Sequence, residues 1–197
     1  MCGRFLLHAE LEVFKERYNI RKDKLSLPLK REVFPSQATP VIINQGNNWV
    51  QLMKWGFSPS FAKGLIINTR SETIDQKPTF RKPFINNRCI VPASGFFEWM
   101  DENGEKIKYL ITINDQPLIS LAAIYDTFPD QEGEQRKAFS IITTEASKSI
   151  EDIHHRMPVI LEKEMEKNWL DPDFQNKNKL KEMLKPWKGE ICIARAN

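Results

Sequence analysis

The chain has 197 residues, enough for one domain, and its 41% hydrophobic and 28% charged content is the balance of a globular chain with a sizeable core. Twenty-nine Lys and Arg against 26 Asp and Glu give a net charge of +3, which permits a nucleic-acid partner without demanding one. No run of about 18 apolar residues is present and no apolar leader precedes Glu10 and Glu12, so neither a membrane span nor a secretory signal is expected.

In chain order, Ala9 to Tyr18 reads as a short amphipathic helix, with Leu11, Phe14 and Tyr18 on its apolar side. Arg21 to Arg31 is a basic loop containing Lys22 and Lys24, and Val33 to Pro40 is a turn stiffened by Pro35 and Pro40. Val41 to Asn44 and Trp49 to Phe57 are strands joined by the turn Gln45-Gly46-Asn47-Asn48. Leu65 to Ile67 is a further short strand leading into Asn68-Thr69-Arg70-Ser71-Glu72-Thr73. Lys77 to Arg88 interleaves basic residues with Phe80 and Phe84. That pattern suits either a single-stranded nucleic-acid groove or a helix whose Phe side chains are core.

Cys89 to Pro92 is an apolar strand, followed by Gly95 to Met100, where Glu98 stands among aromatics. Buried there, a carboxyl is desolvated and becomes a general acid; on an exposed edge strand it is only a surface charge. A turn at Asn103-Gly104 leads to strands at Lys108 to Asn114, Leu118 to Tyr125 and Ala138 to Thr144, the last two separated by an acidic loop, Asp130 to Glu134. Glu145 to Ile153 reads as a helix capped by Thr144 and ended by Pro158. Val159 to Leu161 is a strand, Lys163 to Leu170 and Asn176 to Leu184 are helices, and Glu190 to Ala194 is a closing strand. Many short strands with a few helices between and after them make an α+β fold: a single domain over residues 1–197, with a mixed, strongly curved, barrel-like sheet and flanking helices.

Cys2, Cys89 and Cys192 form no CxxC pair and no zinc spacing, and no phosphate-binding glycine loop is present. No metal and no cofactor are expected, the compartment is expected to be reducing and cytoplasmic, and Cys89 and Cys192 are expected to be buried apolar thiols. Cys2 is different. Removal of Met1 would place an α-amine and a thiol on one residue, with ordinary pKa values of about 7.7–8.0 and about 8.5. Such a 1,2-aminothiol takes an aldehyde first as an imine and then as a five-membered thiazolidine, because both nucleophiles are already held together.

Cys2-Gly3-Arg4-Phe5, Trp55-Gly56, Asn68-Thr69-Arg70-Ser71-Glu72-Thr73, Gly95-Phe96-Phe97-Glu98-Trp99 and His154-His155-Arg156-Met157-Pro158 occur in this order along the whole chain. Together they closely resemble the SRAP family (SOS-response-associated peptidase). The resemblance implies a DNA-damage-response protein that binds abasic sites in single-stranded DNA and cross-links to them through Cys2, as a DNA-associated monomer. It further implies that Asn68 holds the opened sugar and the N-terminus, that Glu98 handles protons, and that His154 assists ring opening and reversal. On the same ground Arg4, Arg70 and Arg156 are phosphate ligands, and Pro35, Trp55 and Trp99 contact DNA, with Pro35 and Trp55 as the wedge between bases. One departure is local: Val33-Phe34-Pro35-Ser36 stands where the family has Asn-x-Ala-Pro. Two rivals stay open. An N-terminal-nucleophile hydrolase would use Cys2 on an amide, and a non-covalent single-strand binder would leave Cys2 incidental.

Overall fold

The computed structural model describes residues 2–21, 26–130 and 132–196. Met1, Lys22 and Lys24 of the basic loop, and Gln131 of the acidic loop lie outside the described residues. The elements in order are β1 (Phe5–His8), α1 (Leu11–Arg17), β2 (Lys30–Val33), β3 (Ala38–Asn44), β4 (Asn48–Trp55), β5 (Asn68–Arg70), a 3₁₀ turn (Ser71–Thr73), α2 (Pro78–Asn86), β6 (Arg88–Ala93), β7 (Gly95–Glu102), β8 (Glu105–Ile113), β9 (Ile119–Pro129), β10 (Gln135–Glu145), β11 (Arg156–Pro158), β12 (Ile160–Leu161), α3 (Lys163–Leu170), α4 (Lys177–Glu182) and β13 (Ile191–Arg195).

The architecture is α+β with a barrel-like sheet. β4, β3, β6, β9 and β10 pair in succession, and β10 then returns to β4, so the ring closes. The β10–β4 pairing is parallel and the others are antiparallel, which makes the sheet mixed. Closure removes the free edges that would otherwise need protection. A second sheet, ordered β13-β8-β7-β1-β2, lies beside it. The two meet through aromatics: Phe5 of β1 lies 5.1 Å from Trp55 of β4, and Trp55 stacks at 6.2 Å on Phe139 of β10. The β7–β8 hairpin turns through Asn103 and Gly104, both at positive φ (57° and 88°), the geometry that follows the twist of the strands it joins.

Toward its end β10 changes both neighbours. β9 pairs with it as far as Ile141, after which β11 takes that side from Thr143 onward. On the other side β4 gives way to β5, with Ile141 opposite Asn68 and Thr143 opposite Arg70. Gly56 allows the break between β4 and β5. Its φ is +117°, and a Cβ there would meet Leu65 Cβ at 2.9 Å.

The helix expected over Glu145–Ile153 is absent. β10 runs through Glu145, because Thr144 and Glu145 pair with Met157 and Arg156 of β11. The following residues form successive turns, such as Ile150 N to Ser147 O at 3.0 Å, around the buried Ile150. Pairing partners remote in sequence outweighed the local helical spacing. The strand expected at Leu65–Ile67 shrinks to one bridge, Ile66 to Phe57, and the ladder forms instead at Asn68–Arg70. Cys89 is buried as expected, whereas Cys192 is exposed, because it sits on β13 at the edge of its sheet.

Candidate active site at the chain start

Cys2 is placed by strand register. Phe5 pairs with Phe96 and Leu6 with Gly95, and Phe97 N donates to Arg4 O at 2.9 Å. In this antiparallel run the residues before Phe5 extend along those after Phe97, which brings Cys2 and Gly3 alongside Glu98. A Cβ on Gly95 would meet Ile111 O at 2.6 Å, so glycine permits the close approach of β8 to the start of β7. Cys2 is fully buried, and its Sγ lies 3.7 Å from Arg4 O. Burial, reinforced by the charge of Glu98, pushes its thiol pKa far up, so sulfur is held protonated.

Glu98 is 2% exposed. It lies in β7 between β1 and β8, opposite Tyr109, and not on an edge. Burial raises its carboxyl from an ordinary 4.5 to about 7. A group poised there exchanges protons readily at neutral pH. Asn68, at the head of β5, donates from Nδ2 to Cys2 O at 2.8 Å. Its Oδ1 is buried without a hydrogen-bond partner among the described residues, which leaves acceptor capacity beside Cys2.

His154 precedes β11, at the end of β10 that also carries β5. Arg156 N donates to His154 Nδ1 at 2.9 Å. Burial, aided by the charges of His155 and Arg156, lowers the imidazole pKa. The His155 ring stacks on it at 4.4 Å. Cys2, Glu98 and Asn68 are thus adjacent, and β10 brings His154 to the end of the barrel where Asn68 lies.

The cations divide by environment. Arg70 is exposed at the end of β5. Arg4 is held between Phe34 at 4.2 Å and Trp99 at 5.1 Å, with Glu32 at 3.4 Å. Arg156, expected on phosphate, is buried with its guanidinium occupied by Glu72 and Thr143. Trp55, expected as a wedge against bases, is fully buried with Nε1 donating to Ile67 O at 2.9 Å. Its ring is committed to Phe5 and Phe139 and packs β1 against the barrel. Pro35 is half-buried, and its neighbour Phe34 is 37% exposed on the same turn. The aromatics of the basic segment at Lys77–Arg88 are core: Phe80 contacts Phe57 and Phe84 contacts Trp169. Sequence reasoning assigned no role to Glu32, Phe34 or Glu72. Their signal is visible only as charge or aromatic complements to Arg4 and Arg156, which require the fold to be paired.

A family profile described as SOS response associated peptidase (SRAP) matches residues 1–196. The abasic site processing protein YoqW of Bacillus subtilis is 38% identical over 196 residues, covering 95% of this chain and 88% of that one. The abasic site processing protein HMCES of Gallus gallus is 33% identical over 148 residues, 60% of this chain and 44% of the longer relative. Among solved structures, a crystal structure of a protein from Bacteroides thetaiotaomicron aligns with a TM-score of 0.88 at 32% identity, covering 100% of this chain and 92% of its own. With the profile matched over residues 1–196 and the ordered motifs present along that length, the chain belongs to the SRAP family.

Proposed function

We propose that this protein captures abasic sites in single-stranded DNA as a covalent thiazolidine on Cys2, after removal of Met1. The observation that carries this reading is the placement of Cys2: its carbonyl is held by Asn68, and its thiol is buried beside Glu98. The names of the relatives, abasic site processing proteins, support the same substrate. In the proposed sequence the Cys2 amine adds to the C1′ aldehyde of the opened sugar. Glu98 passes a proton to the departing hydroxyl, and one water leaves to give the imine. The Cys2 sulfur then bonds to the imine carbon while its proton passes to nitrogen, closing the ring. His154 serves ring opening, Asn68 Oδ1 accepts from the sugar or the amine, and Arg70 faces phosphate.

Intact-mass measurement tests the reading. The protein lacking Met1, incubated with an abasic single-stranded oligonucleotide, is expected to gain one oligonucleotide minus one water after denaturation. Cys2→Ala should lose that species. No shift, or an equal shift in Cys2→Ala, overturns the proposal.

A further inference from the structure

The motif that carries Asn68 and Arg70 continues to Glu72, to which the chemistry above gives no part. Glu72 lies in the 3₁₀ turn directly after β5. Its carboxylate receives both arms of the Arg156 guanidinium, Nη1 at 2.6 Å and Nη2 at 3.0 Å. Nη2 also donates to Thr143 O at 2.7 Å and approaches Thr143 Oγ1 at 3.3 Å. Thr143 is the β10 residue that pairs with Arg70 on one side and Pro158 on the other. One buried guanidinium therefore ties together the turn that follows the strand of Asn68, the strand that His154 leads into and the strand between them.

The main chain of the same arginine sets the imidazole. Nδ1 lies 2.9 Å from Arg156 N and 3.2 Å from Arg156 O; an amide N–H only donates, so the shorter contact is made with Nδ1 as acceptor, and the longer one is the alternative in which Nδ1 carries the proton. With the shorter contact made, the neutral ring carries its proton on Nε2. We infer that Glu72 is a positioning residue: by clamping Arg156 it holds the Arg156 amide against His154 Nδ1 and so fixes the orientation and tautomer of that imidazole. This rests on the role of His154 proposed above, but the clamp has its own readout. The electrostatics agree with a firm contact. Partial burial works against ionisation of Glu72, yet Arg156 outweighs it and holds the carboxyl below its usual range. Lys181 Nζ, 3.4 Å from Glu72 O, and Arg70 are the other cations near Glu72.

The experiment is ¹⁵N NMR of the His154 side chain in the full chain without DNA, for wild type, Glu72→Asp, Glu72→Gln and Glu72→Ala. The wild type is expected to show an acceptor Nδ1 and a protonated Nε2. Glu72→Gln and Glu72→Ala should mix the two tautomers, and Glu72→Asp should restore the wild-type signature in part. Should Glu72→Ala fail to fold, because it strands a buried guanidinium, Glu72→Gln carries the test, since it keeps the side-chain shape. Parallel cross-linking assays should show a roughly tenfold to hundredfold rate loss for Glu72→Gln, the scale on which small misplacements slow a reaction. A wild-type ring protonated on Nδ1, or an unchanged His154 signature in Glu72→Gln, overturns the inference. Absence of cross-linking in the wild type would sink the capture reading while leaving the tautomer result to decide this one.

Discussion

β6 and β7 follow each other in the chain, separated only by Ser94, yet each buries one acidic or basic side chain to a different end. Arg88 opens β6 in the barrel. Its guanidinium donates to five backbone carbonyls, those of Phe84, Ile85, Trp169, Asp171 and Phe174, at the ends of α2 and α3 and just beyond. Burial lowers its pKa to about 10, which still leaves it charged at neutral pH. Glu98 lies in β7 of the second sheet, and burial raises it to about 7. Desolvation acts on both groups in the same sense, toward the neutral form. The starting pKa decides the outcome: the arginine begins so high that it remains a fixed cation binding helix ends, while the carboxyl lands where it can exchange its proton. One region keeps a buried cation that binds helix ends, and the other holds a buried carboxyl that can exchange its proton near neutral pH.

Three experiments would break or sharpen this contrast. The largest effect is expected at Glu98. Glu98→Gln should slow cross-linking by about 10²–10⁴-fold, the usual contribution of a general acid–base group. It should also alter stability in a pH-dependent way. The folded value of about 7 lies above the ordinary 4.5, so the folded state holds the extra proton across that window. The stabilisation is complete below pH 4.5 and is lost as pH rises through 7, on the order of 3 kcal/mol in full. Urea unfolding of wild type and Glu98→Gln at pH 4.5 and pH 8 measures the difference. An equal pH response in both proteins would mean that Glu98 is not the poised group.

Arg88→Met should act in the opposite manner. It leaves the buried carbonyls of two helix ends without donors and should cost at least about 3 kcal/mol of unfolding free energy. The cross-linking rate per folded molecule should stay unchanged at a temperature where the variant remains folded. A rate loss without a stability loss would erase the distinction between the two strands. The smallest effect is expected at the exposed Arg70. Arg70→Ala should reduce the slope of log affinity against log salt by about one unit for a single-stranded abasic oligonucleotide. An unchanged slope, read by fluorescence anisotropy across a salt series, would remove Arg70 from the phosphate contacts.

Some of this was legible in the chain and some was not. Lys163 to Leu170 reads as a helix in the sequence and folds as one over those bounds, because its apolar spacing and its tertiary role agree. Glu145 to Ile153 shows the limit. Its local spacing is helical, but pairing with β11 draws Glu145 into β10, and the residues after it turn. Trp55 and Phe80 show a second limit. Aromatic residues next to glycine or arginine look the same whether they are to meet a base or a core, and only the closing of the barrel around them settles it.

The sequence by itself determined the candidate groups: a cysteine after the initiator methionine, a carboxyl among aromatics, and an asparagine and a histidine in ordered motifs. Those features are covalent and local, so no fold is needed to read them. Only the tertiary structure decided what those groups can do. The β1–β7 register puts Cys2 beside Glu98, and burial there holds the thiol protonated and lifts the carboxyl to about 7. The change of partners along β10 brings Asn68 and His154 to one end and assigns Arg156 to Glu72. Desolvation and pairing depend on neighbours remote in sequence, and no local pattern encodes them.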